Sequence, residues 1–291
     1  MRYLSKEQNT NRRFRAVSQK RKGEPGSLII KIGGSLFSDK CQNRVVDEGA
    51  IAGYARLVGD LWKTAPGCVV FISGGGSFGH PVARALDPAD PHASLALTEA
   101  NFVLKWIWTT ALRKEGAPAL PFQLTGICSF DGEQLQVQGG ALRRALDIGA
   151  LPVLSGDCLI SRDCSLRILP SDRLPEIFMS LLPTPIRIVS LTNVAGILTD
   201  GPNGSSVLRC VDATAPQSAY QFLWAAPDWD MSQAMFGKLD AMIQFARLGA
   251  ECLILKGNPD AANVRFLLKP VGQWPPETTY TRIALPDALM I

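Results

Sequence analysis

Two glycine-rich turns, each entered from an apolar strand, carry the first chemistry in this sequence. IIKIGGSLFSDK (29–40) runs into Gly33, Gly34 and Ser35, and VVFISGGGSFGHPVARAL (69–86) runs into Gly74, Gly75, Gly76 and Ser77. Such turns present backbone N–H groups to anions, so two at one end of a sheet could hold two phosphates. The second ends in His80, one of two histidines in the chain, and no Gly-Lys-Ser/Thr follows. Lys31 sits inside the first apolar strand, where a charge is costly unless an anion meets it or the strand lies at an edge. Lys40 follows nine residues later. Gly237 and Lys238 resemble the end of a P-loop, but Leu239 replaces Ser/Thr and the first glycine is missing. As a helix opening, Ser232 becomes the N-cap, and Lys238 either reaches back over a ligand or lies in solvent.

These residues need elements to position them. SLIIKI, CVVFIS, ALPVLSG, IRIVSLT and AECLIL read as short buried strands, and a further strand follows APALPFQL. Helical spacing covers 47–64, 79–86, 97–115, 139–148, 216–224 and 232–248, and Asp172 is expected to start a helix to about 182. DCLISRDCSLRIL reads as a hairpin, and TYTRIAL as a final edge strand. Strands alternating with helices predict an α/β fold, a mostly parallel sheet covered on both faces. Ligands of such sheets bind beyond the carboxyl ends of the strands, where the glycine turns fall.

Gly74–Gly79 satisfies G-x-G-x-x-G, yet a dinucleotide site needs a second strand ending in an acid about 20 residues on. DPADPHASLALTEANF gives a loop and a helix instead. A tight turn is the other reading of a lone glycine triplet.

No apolar run approaches the roughly 20 residues that span a bilayer, and no signal peptide is expected. Seven cysteines without a CxxC pair predict reduced thiols in a cytoplasm, with no metal site. Residues 1–25 hold eight Lys or Arg against two Glu, about +6, so the net charge of +4 leaves about −2 for the remaining 266 residues. Residues 1–26 read as a disordered basic extension, and 27–291 as one domain without a nucleic-acid-binding face.

Taken together, Lys31, Gly33, Gly34 and Ser35, the 74–76 loop, SLTNVAGILTD (190–200) and AMFGKLDAM (234–242) resemble the amino acid kinase family. The resemblance covers about 28–283 and implies an open αβα sandwich. Acceptor binding would fall in the part up to about 160, and nucleotide binding in the C-terminal part. GGGSFGH narrows it to the branch whose acceptor already bears a phosphate or phosphonate. Within that branch LTEANF, GALPVLSGD, SDRLPE and RLGAECLILKGNP are similar to fosfomycin kinases, with isopentenyl phosphate kinases as the alternative. A non-catalytic nucleotide-binding module is a third reading.

The resemblance implies MgATP as donor and a small phosphonate or phosphate as acceptor, with a homodimer open. Lys31 and Lys238 would bind the transferring and nucleotide phosphates, and Asp172 would hold Lys31. Gly33, Gly34, Ser35, Thr192, Gly196 and Ser232 would complete the nucleotide side. Lys40, Gly75, Gly76, Ser77, His80, Ser171 and Ser232 would hold the acceptor, and Phe102, Trp106 and Trp108 would line its apolar pocket. The chain departs from the family pattern at Asn193 and Ala195, where two carboxylates are lost, at Ser232-Gln233-Ala234, and at Pro170.

Overall fold

Residues 26–39, 41–87, 89–223 and 235–286 are described by the computed structural model. The chain opens on β1 (Ser27–Ile32), buried throughout. Helix α1 (Glu48–Thr64) is capped by the Asp47 side chain, which accepts from the Ala50 N–H, and it buries Ile51, Tyr54, Val58 and Leu61. Strand β2 (Val69–Ser73), α2 (Gly76–Arg84), α3 (Leu95–Lys114) and β3 (Ala119–Pro121) follow. A hairpin of β4 (Cys128–Asp131) and β5 (Gln134–Val137) leads through α4 (Gly140–Asp147) into β6 (Leu151–Ser155). The predicted second hairpin is present as β7 (Asp157–Ile160) and β8 (Leu166–Leu169). The rest comprises β9 (Ile186–Thr192), β10 (Cys210–Asp212), α5 (Gln217–Tyr220), α6 (Met235–Arg247), β11 (Glu251–Lys256) and β12 (Tyr280–Ala284).

Eight strands form one sheet in the order β10-β12-β11-β9-β1-β2-β6-β3. All neighbours are parallel except β11 and β12. The two-residue period of a strand splits β1. Leu28, Ile30 and Ile32 pack with α1 and α3, whereas Ile29 packs with α4 and α6 on the other face. The expected architecture, helices on both faces of a mostly parallel sheet, is therefore what forms. Because β1, β2, β6 and β9 are parallel, Gly33, Gly74, Gly156 and the 193–196 loop emerge at one edge. Strand order turns back at β1, with β2 on one side and β9 on the other, which opens the crevice where such sheets bind ligands.

Three local expectations are corrected. The helix predicted from Asp172 is a turn followed by a 3-10 segment, Leu174–Phe178. Pro175 at its start sets a tight entry, and the bulky Leu174, Ile177 and Phe178 are pinned in the core. β12 is not an edge strand, because β10 pairs outside it. Lys31 is not on an edge either, since β1 is flanked on both sides. Of the expected extension 1–26, residues 1–25 lie outside the described residues. Among the described residues no helix is long and apolar enough to cross a membrane.

Candidate active site

The two glycine turns touch. A Cβ on Gly34 would lie 2.5 Å from the Gly76 nitrogen, and one on Gly74 would lie 2.5 Å from the Gly34 nitrogen. Glycine is needed here because backbone meets backbone, and Gly76 adds a positive φ of 49°. The turns leave adjacent strands: Gly74 N–H bonds to Ile32 O at 2.8 Å and Gly33 N–H to Leu191 O at 2.9 Å. Ser38, which the sequence reading did not single out, straps them together. Its hydroxyl donates to Gly34 O at 3.0 Å and accepts from Ser77 N–H at 3.0 Å.

α2 begins directly at the second turn, with no side-chain cap from Gly75. Its first turn is thus suited to an anion. His80 lies one turn further along and is partly buried. Ser77 is engaged internally: its N–H goes to Ser38, and its hydroxyl donates to Val45 O at 2.5 Å. Ser77 therefore supports the loop rather than offering these donors outward. Ser35 is exposed beside the first turn, and Ser171 is partly buried next to Asp172.

On the α6 side of β1, three charges meet. Lys31 Nζ lies 2.5 Å from Asp172 Oδ1, and Lys238 Nζ lies 2.8 Å from the same atom. Lys238 also donates to Ser190 Oγ at 3.1 Å. Ser190 is the direct neighbour of Lys31 in the β1–β9 register. It was missed, although a serine inside IRIVSLT was the available signal. Both lysine side chains are nearly buried, at 6% and 10% exposure, while Asp172 keeps 22%. Lys238 is therefore not a solvated helix lysine.

Burial lowers Lys31 to about 7; Asp172 opposes the shift and Lys238 reinforces it. Burial alone would raise Asp172, but the two ammonium groups outweigh it and hold the carboxyl well below the usual range. The ensemble carries net positive charge beside two N–H-rich turns. A cleft of about 820 Å³ reaches Asp172, lined also by Arg173, Gly237 and Asp240.

Thr192 ends β9, and its hydroxyl donates to Val194 O at 2.7 Å, closing the turn that carries Asn193. Gly196 is required by contact, since a Cβ would sit 2.5 Å from Thr281 Oγ1. Lys40 and Ser232 lie outside the described residues. The three aromatic side chains of α3 do not share a face. Trp108 is wholly buried between Phe37 and Phe71, at centroid distances of 5.1 and 4.9 Å, whereas Phe102 and Trp106 are half exposed. The 200° between positions 106 and 108 on a helix separates them.

The arrangement can hold two phosphoryl groups with their charge neutralised, and among the described residues it has no evident general base. Comparison with known proteins agrees with this chemistry. The model of the amino acid kinase family matches residues 27–256. The isopentenyl phosphate kinase of Methanothermobacter thermautotrophicus is 26% identical over 243 residues, spanning 78% of this chain and 90% of that protein. The isopentenyl phosphate kinase of Methanocaldococcus jannaschii is 24% identical over 229 residues, spanning 73% and 85%. An X-ray structure of isopentenyl phosphate kinase superposes with a TM-score of 0.67 at 20% identity, covering 89% of this chain and 99% of the other. Carbamate kinase from Giardia lamblia superposes with a TM-score of 0.61 at 13% identity, over 91% and 99%. At these identities the superpositions establish the fold.

Proposed function

This chain belongs to the amino acid kinase family, and from that premise we propose that it transfers the terminal phosphoryl group of ATP to a small molecule already bearing a phosphate. Isopentenyl phosphate is the first acceptor, supported by the curated relatives. The observation that carries the reading is the convergence of Lys31 and Lys238 on Asp172 at the carboxyl edge of the sheet.

An acceptor phosphate oxygen attacks the terminal phosphorus of ATP. The new P–O bond forms as the bridging P–O bond breaks, and ADP leaves with the electron pair. The nucleophile is already anionic, so no base is required. The obstacle is bringing two anions together, and fixed cations and N–H dipoles remove it.

Lys31 neutralises charge on the transferring group, held by Asp172. Lys238, braced by Ser190, meets the nucleotide phosphates. Gly34 and Ser35 offer N–H groups to the transferring phosphate, Gly33, whose N–H is held by Leu191 O, lets the chain turn there, and Thr192 and Gly196 shape the nucleotide side. Gly75, Gly76 and His80 hold the acceptor, with Ser77 fixing the loop; acceptor roles for Ser171, Lys40 and Ser232 rest on the family resemblance alone. The glycine cradle and the two lysines fit a polyphosphate, and Mg²⁺ on its oxygens would supply further charge neutralisation.

Fosfomycin is a second reading, favoured by the floor under the acceptor loop. Ser73 Oγ and Asn101 Oδ1 are buried there without a hydrogen-bond partner among the described residues. Trp108 packs between Phe37 and Phe71, and Phe37 reaches to 3.1 Å from where a Cβ on Gly76 would sit. A short oxygen-bearing phosphonate suits that floor better than a five-carbon chain.

The test is ADP release from MgATP with isopentenyl phosphate and fosfomycin in parallel, and ³¹P NMR of the products. A diphosphate from isopentenyl phosphate alone supports the first reading. A phosphonate–phosphate anhydride from fosfomycin alone supports the second. ATP binding without turnover of either overturns both and leaves a non-catalytic module, with Asn193 and Ala195 as its markers.

A further inference from the structure

Thr98, Lys105, Gln123 and Asp157 form a buried polar network around α3 that has no part in the transfer described above. Thr98, Asn101 and Lys105 share one face of the helix through spacings of three and four residues. Thr98 Oγ1 donates to Asp157 Oδ1 at 2.9 Å. The Asn101 carbonyl accepts from Ser155 Oγ at 3.3 Å. Lys105, wholly buried, donates to Phe122 O at 2.9 Å and to Gln123 Oε1 at 2.7 Å. Gln123 turns its Nε2 to Asp157 Oδ2 at 2.6 Å, so its amide joins the buried cation to the buried anion. Asp157 is saturated by two backbone donors as well, Leu124 N–H at 3.2 Å and Cys158 N–H at 2.9 Å.

Such a network is expensive in a core, since well-packed apolar side chains often serve stability as well or better. What it supplies is position, and its two ends touch the two halves of the site. At one end the Asn101 side chain lies against the acceptor loop: Oδ1 is 3.3 Å from where a Cβ on Gly79 would sit and 3.7 Å from one on Gly75. At the other end Asp157 follows Gly156. A Cβ on Gly156 would lie 3.0 Å from Leu169 O and 3.2 Å from Ser171 N, the residue before Asp172.

We propose that Lys105, Gln123, Asp157 and Thr98 form a clamp that sets the acceptor loop at 75–79 against Asp172. They act as positioning residues and touch neither substrate. The inference rests on the kinase reading for its kinetic consequence, but not for its structural one.

The test uses the full chain carrying Lys105→Met or Gln123→Leu. Hydrogen exchange of the ligand-free protein is read at 74–80 and 169–173. Both segments are expected to exchange at least about threefold faster, with 239–255 unchanged. For whichever acceptor the wild type turns over, kcat/KM for that acceptor should fall about 10- to 100-fold while the KM for MgATP stays within about twofold.

Unchanged exchange at both segments, or faster exchange throughout the chain, overturns the clamp. Equal losses toward acceptor and MgATP overturn it too. Should Lys105→Met fail to fold, Thr98→Val removes a single bond and is read in the same way. A wild type that turns over no acceptor would sink the kinase reading alone, because the exchange measurement still decides the clamp.

Discussion

Lys31 and Lys238 meet at a single atom, Oδ1 of Asp172, at 2.5 and 2.8 Å. One carboxylate offsets one of two nearly buried ammonium groups, so while Lys31 is protonated one positive charge remains at the edge of the sheet. That surplus makes the site complementary to an incoming phosphate and unfavourable without one.

Asp172→Asn keeps the shape and removes the counter-charge that orients both lysines. The expected loss in kcat/KM is about 10²- to 10³-fold, the scale of one misplaced oxyanion-type donor. Initial rates of ADP release measure it. A loss under about tenfold would remove Asp172 from the role given to it.

Lys31 also sets a pH dependence. With its value lowered to about 7, mainly by burial, the free enzyme loses this charge as pH rises through that value. kcat/KM should fall there, whereas the limb in kcat should lie higher, because bound phosphate favours the charged form. The stability effect has a definite sign. Between about 7 and the ordinary lysine value of 10.5 the unfolded chain binds the extra proton, so this group's contribution improves as pH rises. Its cost is fully present below 7. Asp172, depressed in the fold, likewise contributes stability that is lost only in acid. Thermal melts should show Lys31→Met gaining on the wild type at pH 6 and losing that advantage toward pH 10, while its turnover is abolished. A pH-independent difference between the two would count against the buried charge.

The contact between the glycine turns is equally testable. Gly34→Ala places a methyl 2.5 Å from the Gly76 backbone nitrogen, and neither turn can yield without moving its strand. Strain of about 1–3 kcal/mol is expected, with activity falling more than stability. Ser38→Ala removes only the strap and should cost about 1 kcal/mol, with a raised acceptor KM. Chemical denaturation and steady-state kinetics on both variants decide this. Equal, mild effects from the two would show that the turns are not held in register.

β1, β2, β6 and β11 were legible because each is a short apolar run stopped by glycine, and α1 and α3 because their apolar spacing is regular. The 3-10 segment after Asp172 was not, since its local pattern passes for helix and only packing of Leu174, Ile177 and Phe178 decides otherwise. β10 was hidden because three residues give too little periodicity to read.

By itself the sequence determined the backbone-level features of the site: where glycine frees N–H groups after a strand, and that a lysine lies within an apolar one. These depend on near neighbours, and residue type limits them directly. Only the tertiary structure decided which charges share an atom. Lys31, Asp172, Ser190 and Lys238 come from four distant parts of the chain. So do Ser38 with Ser77, and Lys105 with Asp157. Their meeting follows from strand order and register in the sheet, and short-range hydrogen bonds and ion pairs have no signature in sequence spacing until that order is set.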